Sequence, residues 1–250
     1  MVLAAGLGTR LLPLTNDRPK ALVEVAGRTL LELTLTRLKT CGIVDVLINT
    51  HHFADMVADY LSAHDNFGMH IEISREQALL DTGGGLKQAA HFFLDHPHAD
   101  NDEPFLLHNV DVLSEIDFKA MLRLHRETGA LATLAVQDRP TSRYLVFDEL
   151  GRLCGRRAGL NGPAELVRDV QEVDVDARAF SGIHIISPRI FSQISEQSAF
   201  SIIPVYLRLA AAGQPILAFS ADQYYWRDLG RPEQIAEATH DIESGKYRAQ

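Results

Sequence analysis

The sequence predicts an α/β fold in which a mostly parallel β-sheet is flanked by helices. Over residues 1–75, short apolar runs alternate with segments whose apolar residues recur at helical spacing. This alternation is typical of parallel strands joined by crossover helices that cover both faces of the sheet. The first apolar run ends in a glycine turn, at the edge where parallel sheets bind ligands. The chain has 250 residues, 46% of them hydrophobic, which is enough for a large core.

The individual elements follow from the same pattern. Val2 to Ala5 is a short apolar run typical of a buried strand, and the leucines of residues 29–40 fall at helical spacing before Gly42, which can end a helix. After Pro140 the pattern changes to a hairpin and loops, up to Gly162, in place of strand–helix units. In chain order we predict strands at 2–5, 43–49, 71–74, 105–112, 131–137, 180–188 and 216–219, and helices at 29–40, 52–63, 116–125, 190–194, 202–212 and 233–244.

Composition and charge exclude several classes of protein. The net charge of −9 argues against a nucleic-acid groove as the main surface. Cys41 and Cys154, the two cysteines, indicate neither a disulfide framework nor a cysteine zinc site. No apolar run approaches the ~18 residues of a transmembrane helix, and Arg10 follows the first apolar run too closely for a signal peptide. We therefore expect a cytoplasmic protein that binds neither nucleic acid nor membrane.

The first twenty residues carry the most specific chemistry. Gly6 and Gly8 allow a sharp turn and a close approach of backbone N–H groups to a ligand. Arg10 and Lys20 then supply a planar guanidinium and a mobile ammonium. Gly-x-Gly by itself is common in ordinary turns, and Leu11 stands where a dinucleotide-binding loop needs its third glycine. The glycine turn with two cations indicates a polyphosphate site.

The longer string around these residues carries a resemblance to a known family. Leu-Ala-Ala-Gly-x-Gly-Thr-Arg-Leu-x-Pro-Leu-Thr, followed by Pro-Lys at 19–20, closely resembles the signature of the sugar-1-phosphate nucleotidylyltransferases. The likeness extends from Val2 to Ala238, and it is greatest for short bacterial members that act on N-acetylmuramate, mannose or heptose 1-phosphate. It implies an enzyme that transfers a nucleoside monophosphate from a nucleoside triphosphate to a sugar 1-phosphate, with release of pyrophosphate.

The resemblance also implies an architecture. We expect a Rossmann-like core in one domain over residues 1–250, without the C-terminal β-helix of longer relatives. Residues 1–137 would mainly bind the nucleotide, and residues 138–250 would mainly bind the sugar through a small inserted β-rich region. The favoured substrates are UTP and an N-acetylmuramate- or hexose-type sugar 1-phosphate, and the alternative is a guanylyltransferase for mannose or heptose 1-phosphate. Either a monomer or a homodimer is expected.

A second glycine-rich stretch begins at Glu76 and continues to the glycines at 83–85. Taken alone, it is a flexible connection in which Asp81 or Thr82 caps a following helix. In the resembled family, a Glu-Thr-Gly-Gly-Gly stretch at this place contacts the nucleotide base, and here Asp81 replaces its glutamate. Glycines ahead of a helix also permit close approach to the helix N-terminus.

Two aspartates are candidate metal ligands. Asp111 lies near the carboxyl end of the apolar run 105–112, where a carboxylate can bind Mg²⁺ or can cap the helix that follows. Asp228 lies in Trp-x-Asp-x-Gly-x-Pro, which resembles the C-terminal signature of the family, although it can also be a turn residue before Gly230. The resemblance implies that both bind Mg²⁺, and Val110 stands where the family usually has glycine.

The resemblance assigns roles to further residues. Arg10, Lys20 and Asp111 would be catalytic, with Arg10 on the β- and γ-phosphates and Lys20 near the α-phosphate. The expected nucleotide-binding residues are Leu3, Ala4, Ala5, Gly6, Gly8, Thr9, Arg10, Glu76, Gly83 and Asn109, and the expected sugar-binding residues are Arg143, Arg157 and Gly182.

Two other classes of function compete with this enzyme. The first is a nucleotide-sugar-binding regulatory subunit without activity. Such proteins lose a cation or an aspartate of the signature, whereas this chain keeps two cations and two aspartates, Arg10, Lys20, Asp111 and Asp228. The second is a glycosyltransferase, which typically needs an Asp-x-Asp pair where this chain has Asn109-Val110-Asp111.

Overall fold

The structure is a computed structural model that describes residues 1–95 and 102–248. Its strands are β1 Val2–Leu3, β2 Glu24–Val25, β3 Arg28–Thr29, β4 Asp45–Thr50, β5 His70–Arg75, β6 Phe105–Asn109, β7 Val112–Ser114, β8 Ala132–Gln137, β9 Arg143–Phe147, β10 Leu153–Ala158, β11 Ala164–Leu166, β12 Asp176–Ile186, β13 Ile216–Ser220 and β14 Trp226–Asp228. Its α-helices are α1 Leu30–Thr40, α2 Ala54–Ala63, α3 Asp81–Gln88, α4 Ala90–Leu94, α5 Phe118–Thr128, α6 Ile202–Ala211 and α7 Pro232–Glu243. Short 3₁₀ turns lie at Thr9–Leu11, Lys20–Leu22, Asp65–Gly68, Glu172–Asp174 and Pro188–Gln193.

The described residues divide into two compact units. The first contains Met1–Asp81, His108–Ile116 and the residues from Tyr224 onward, and the second contains Thr82–Leu107 and Asp117–Gln223.

The first unit is built on a parallel sheet. β1 pairs in parallel with β4 on one side and with the end of β6 on the other, and β5 pairs in parallel with β4. Val2, Leu47 and Ile48 are fully buried, because strands covered on both faces need continuous apolar runs. α1 begins where the Thr29 side chain accepts a hydrogen bond from the Glu32 N–H at 3.0 Å, a standard N-cap. The predicted parallel strands and first helix are confirmed here.

The second unit is built on a mixed sheet around β8. All six residues of β8 are buried, and the strand pairs antiparallel to β12 and parallel to β13. β12, β9, β10 and β11 continue as successive antiparallel neighbours. The α/β class and the β-rich region in the second half of the chain are therefore confirmed.

Two local expectations were wrong, and one of two open alternatives is excluded. The predicted helix at 190–194 is a 3₁₀ turn, Pro188–Gln193. The glycines at 83–85 do not precede a helix but lie buried inside α3. The cap of the helix predicted at 116–125 is Asp117, which accepts hydrogen bonds from the N–H groups of the first turn of α5, so Asp111 has no capping role. Among the helices of the described residues, none is both long and apolar enough to cross a membrane.

Candidate active site

The first site element is the glycine loop, residues 4–10, which leaves the end of β1. Gly8 has a left-handed backbone with φ of +66°, and its carbonyl accepts hydrogen bonds from the Leu11 N–H at 2.8 Å and the Thr15 hydroxyl at 2.9 Å. A Cβ on Gly8 would lie 2.9 Å from Thr15 Cγ2 and 3.1 Å from Lys20 Cβ. The loop therefore folds back tightly against Lys20, and only glycine fits there.

Lys20 and Asp111 form an ion pair in this unit. The ammonium and the carboxylate are in contact, and their side chains are 12% and 16% exposed. Partial burial strengthens such a pair relative to one in bulk water. The predicted cation and the predicted metal ligand therefore lie side by side, although they are far apart in sequence.

β7 and β14 bring the two predicted metal ligands together. Asp228 pairs with Val112, the residue after Asp111, and the Leu229 N–H donates to the Asp111 carbonyl at 2.8 Å. Both aspartate side chains remain half-buried. An antiparallel ladder between two short strands thus joins segments that lie in separate parts of the chain.

Gly230 connects this pair of strands to Arg10. Its N–H donates to Asp228 Oδ1 at 2.6 Å. A Cβ on Gly230 would lie 2.7 Å from Asp228 Oδ1 and 2.8 Å from an Arg10 guanidinium nitrogen. Arg10 is exposed, and its guanidinium forms no ion pair with another described residue. The structure thus brings Arg10, Lys20, Asp111 and Asp228 to one place.

A buried network holds β14 on α7. Asp241, whose side chain is 5% exposed, accepts hydrogen bonds from the Tyr225 hydroxyl at 2.7 Å and from Arg227 Nε at 3.0 Å, and Lys246 lies 3.2 Å away. Burial raises the pKa of Asp241, but these hydrogen bonds outweigh it and lower the pKa to about 2. The charged network fixes the strand that carries Asp228.

The donor set fits Mg²⁺. Among the described residues, no group of three or more His, Cys, Asp or Glu side chains is placed to hold a metal ion. The described residues therefore form no closed cage of protein ligands of the kind that binds structural zinc. Mg²⁺ instead takes one or two carboxylates and completes its shell with waters and substrate phosphates, which Asp111 and Asp228 can accommodate.

The backbone at Leu3, the last residue of β1, is hydrogen-bonded within the unit. Leu3 pairs with Asn109 across the strands, and its carbonyl accepts a hydrogen bond from the Val110 N–H at 3.1 Å. Val110 is 3% exposed, so the side chain that replaces the usual glycine lies in the core while Asp111 still faces Lys20. Ala5 is buried, and Gly6 and Thr9 are exposed.

Glu76 lies in a buried hydrogen-bonded chain with a residue that the sequence analysis missed. The Ala4 N–H donates to Asn49 Oδ1 at 2.8 Å, Asn49 Nδ2 donates to Glu76 Oε1 at 2.7 Å, and the Leu80 N–H donates to Glu76 Oε2 at 2.9 Å. Asn49 is the last residue of the predicted strand 43–49. A polar residue at the ligand-binding end of a parallel strand is the signal that identifies it.

Gly83 lies in the second unit, where it contacts Phe200. Its N–H and that of Gly84 donate to the Phe200 carbonyl at 2.9 and 3.2 Å, and a Cβ on Gly83 would lie 2.4 Å from the Phe200 ring. These N–H groups at the start of α3 therefore have a partner within the protein. Packing alone already requires glycine at this position.

The other predicted sugar-side residues also lie in the second unit. Arg143 is exposed, whereas Arg157 is half-buried and pairs with Glu172 at 3.0 Å. Arg143 of β9 lies opposite Ala158 of β10, and Arg157 precedes Ala158 in the chain. Because successive residues of a strand face opposite ways, Arg143 and Arg157 project from opposite faces of the sheet. Gly182, with φ of +73°, lies at a register shift in β12. The structure therefore does not bring the two arginines together.

Known proteins resemble this chain over most of its length. The family model for nucleotidyl transferases matches residues 1–245. N-acetylmuramate alpha-1-phosphate uridylyltransferase from Caulobacter vibrioides is 34% identical over 242 residues, which cover 93% of this chain and 92% of that protein. UTP–glucose-1-phosphate uridylyltransferase from Synechocystis and mannose-1-phosphate guanyltransferase beta-A from Xenopus laevis are both 27% identical, and the matches cover 99% and 93% of this chain but only 64% and 61% of those longer proteins.

Solved structures share the fold. HddC from Yersinia pseudotuberculosis, complexed with GMP-PN, has a TM-score of 0.73 at 21% identity, with 96% of this chain and 97% of that chain covered. The inositol-1-phosphate CTP transferase from T. maritima has a TM-score of 0.71 at 17% identity, with coverage of 98% and 95%. The family match over residues 1–245 and the relative at 34% identity define the class of protein as a nucleotidyltransferase. The chain belongs to the nucleotidyl transferase family, and the prediction of a nucleotidyltransferase enzyme is confirmed.

Proposed function

We propose that this enzyme transfers a nucleoside monophosphate from a nucleoside triphosphate to a sugar 1-phosphate, with release of pyrophosphate and with Mg²⁺ as cofactor. The observation that carries the proposal is the cluster of two cations and two carboxylates, Arg10, Lys20, Asp111 and Asp228, at the end of a parallel sheet. UTP and an N-acetylmuramate- or hexose-type sugar 1-phosphate are the favoured substrates, because the relative at 34% identity is a uridylyltransferase of matching length.

The reaction determines what these residues must do. A phosphate oxygen of the sugar 1-phosphate attacks the α-phosphorus in line, and the bond from that phosphorus to the bridging oxygen breaks as pyrophosphate leaves. Such a transfer requires positioning and charge neutralisation more than covalent help from the protein. Arg10, exposed and without an ion-pair partner among the described residues, suits the charged β- and γ-phosphates. Lys20 would neutralise charge near the α-phosphate.

Asp111 and Asp228 would hold Mg²⁺, which when bound supplies positive charge to the phosphate oxygens. Lys20 positions the Asp111 carboxylate through their ion pair, and Gly230 positions that of Asp228 through its N–H. Each proposed ligand is thus oriented by a partner in the same unit.

The assignments for base, ribose and sugar form the less specific part of the proposal. The backbone of Leu3–Gly6, with Gly8, Thr9 and Asn109, would frame the nucleotide, whereas the Gly83 N–H already donates to the Phe200 carbonyl within the second unit. Of the two arginines, Arg143 suits the sugar phosphate better, because Glu172 already neutralises Arg157. The division into a nucleotide half, 1–137, and a sugar half, 138–250, remains a prediction, as do a cytoplasmic location and a monomeric or homodimeric state.

A guanylyltransferase is the second candidate. A mannose-1-phosphate guanyltransferase is 27% identical over 93% of this chain, and a structural neighbour was solved with GMP-PN. Uracil and guanine differ in the hydrogen-bond donors and acceptors that a site must match, so one base should be strongly preferred.

The test is pyrophosphate release by the purified chain with Mg²⁺, over a grid of five nucleoside triphosphates and several sugar 1-phosphates. We expect release that depends on one pair, which would identify both substrates. Nucleotide binding by thermal shift without release for any pair would contradict the proposal and favour a regulatory subunit. Manganese-dependent transfer of a sugar from a nucleotide-sugar would instead indicate a glycosyltransferase.

A further inference from the structure

Two buried polar side chains link the two backbone segments assigned above to the nucleotide. Asn49 contacts the glycine loop at Ala4, and Glu76 contacts the following segment at Leu80. We propose that Asn49 and Glu76 are a positioning pair that fixes these two segments relative to each other and so preforms the nucleotide site. This inference rests on the proposed function, because it takes both segments to border the nucleotide.

The direction of each hydrogen bond in the chain is determined. The Ala4 N–H is a donor, so the oxygen of Asn49 must face it, and the amide nitrogen then faces Glu76. The Leu80 N–H is also a donor, so an acceptor must face it, and the second carboxylate oxygen of Glu76 provides one. One amide and one carboxylate, in this order, therefore satisfy both backbone N–H donors.

Burial makes this arrangement costly to alter. Asn49 is 2% exposed and Glu76 is 4% exposed, so neither side chain can replace a lost partner with water. The Glu76 backbone is held as well, since its N–H donates to the Thr50 carbonyl at 2.7 Å and its carbonyl contacts His51 Nδ1 at 2.9 Å. The pair is thus attached to β4, a rigid element of the sheet.

The position of the pair argues for a role beyond stability. Replacing a buried ionic group by apolar side chains of similar volume is often neutral or stabilising, so stability alone does not require a carboxylate here. Its two outer contacts are backbone N–H groups at the ends of segments that should close around one ligand. Holding those segments at a fixed separation in the free enzyme lowers the ordering cost of nucleotide binding.

The test is a polarity swap between the two positions. Asn49→Asp places two carboxylates against each other, and Glu76→Gln places an amide N–H group against another N–H donor. In Asn49→Asp/Glu76→Gln, Asp would accept from Ala4 and from the Gln amide, while the Gln oxygen would accept from Leu80. The double variant therefore restores every hydrogen bond. In Asn49→Asp, a proton shared between the two carboxylates would relieve their repulsion. The assays are therefore run at pH 8, where such protonation is disfavoured.

We expect each single variant to raise KM for the nucleoside triphosphate by about tenfold or more, with a smaller change in kcat and in KM for the sugar 1-phosphate. The double variant should recover most of the nucleotide KM. Thr133→Val is the matched control, because it removes the buried hydrogen bond of 3.0 Å to His125 in the other unit; it should lower the melting temperature without moving the nucleotide KM.

Amide hydrogen exchange separates failure of this inference from failure of the proposed function. Protection of the Ala4 and Leu80 amides should fall in both single variants and return in the double variant, whether or not the chain proves to be a transferase. A double variant that regains this protection and its melting temperature, but not its nucleotide KM, would overturn the positioning role. So would single variants whose nucleotide KM stays unchanged, or a double variant that unfolds like the single ones.

Discussion

Gly6 and Gly8 lie two residues apart in the glycine loop, and their surroundings differ. Gly8 has a positive φ and contacts Thr15 and Lys20 closely, so the folded chain itself requires glycine there. Gly6 is exposed, does not have a positive φ, and would have no described atom within 4 Å of an added Cβ. The fold gives no reason for glycine at position 6, whereas the proposed approach of a phosphate to the backbone would give one.

Alanine substitutions should separate these two roles. Gly6→Ala should leave the melting temperature unchanged or slightly raised and should weaken nucleotide binding, because the added methyl group meets the ligand and not the protein. Gly8→Ala should cost about 1–2 kcal/mol of folding stability from backbone strain alone. Thermal unfolding and nucleotide titration of both variants test this. Normal nucleotide affinity in a stable Gly6→Ala variant would contradict the ligand role.

Arg10 should contribute mainly to the transition state. Arg10→Ala should lower kcat/KM by about 10²–10³, the usual effect of removing one preorganised charge donor. Arg10→Lys should recover only part of this, since an ammonium lacks the fork that binds two phosphate oxygens. Arg18→Ala is the control, because Arg18 pairs with the neighbouring Asp17 and has no proposed role. Steady-state kinetics of the three variants test the prediction, and unchanged turnover in Arg10→Ala would rule out this role.

At the scale of elements, α3 is capped by its own unit. The carbonyl of Phe200, in the segment before α6, accepts two N–H groups from the start of the helix, and its ring covers Gly83. From sequence, this glycine run indicates either a flexible connection or a place where a ligand approaches the backbone closely. Glycine is also required where two protein segments approach closely. A sequence pattern does not distinguish this reason for glycine from the approach of a ligand.

A double-mutant cycle distinguishes these reasons for Gly83. Gly83→Ala should destabilise the protein by about 1–3 kcal/mol, because its methyl group overlaps the Phe200 ring. Phe200→Leu should cost much less in the Gly83→Ala background than in the wild type, because the smaller side chain relieves that overlap. Chemical denaturation of the four proteins measures the coupling. A stable Gly83→Ala variant that fails only in nucleotide binding would contradict the packing explanation.

The strands that join the two aspartates illustrate the limit of sequence reasoning. Asp111 and Asp228 were each found from a local string, because the residues of a signature lie next to one another. Their proximity depends on the pairing of β7 and β14, which are three residues each. Such short strands carry too little alternation to predict a partner or a register. Asn49 was missed for a related reason, since its role depends on Ala4 and Glu76 and not on its neighbours in sequence.

At the scale of the whole molecule, the sequence was sufficient for the fold class because alternating strands and helices leave a strong periodic pattern. It was insufficient for the division of the chain into compact units. The first unit collects three separated segments, and the last of these returns β14 and α7 to the unit that contains β1. Only long-range contacts determine that arrangement.

Stability of the whole molecule should depend on pH through His125. This residue of α5 is 2% exposed, and its Nδ1 contacts the Thr133 hydroxyl at 3.0 Å. Burial chiefly, with help from the charges of Arg189 and Arg126 and partial opposition from that of Asp102, lowers the pKa of His125 from 6.5 to about 4. The unfolded chain therefore takes up the proton at a higher pH than the folded protein. The stability that uncharged His125 contributes is fully present above pH 6.5 and is lost as the pH falls from 6.5 towards 4.

The loss from this one group should be about 2 kcal/mol between pH 7.5 and pH 5, at a pKa of about 4 in the folded state. His125→Asn keeps a polar atom near Thr133 but does not titrate, so its stability should change less over this range. Its stability at pH 7.5 should be lower than that of the wild type, because the smaller side chain leaves a cavity. Urea denaturation of both proteins at the two pH values measures the difference. Equal losses in wild type and variant would show that other groups cause the acid sensitivity.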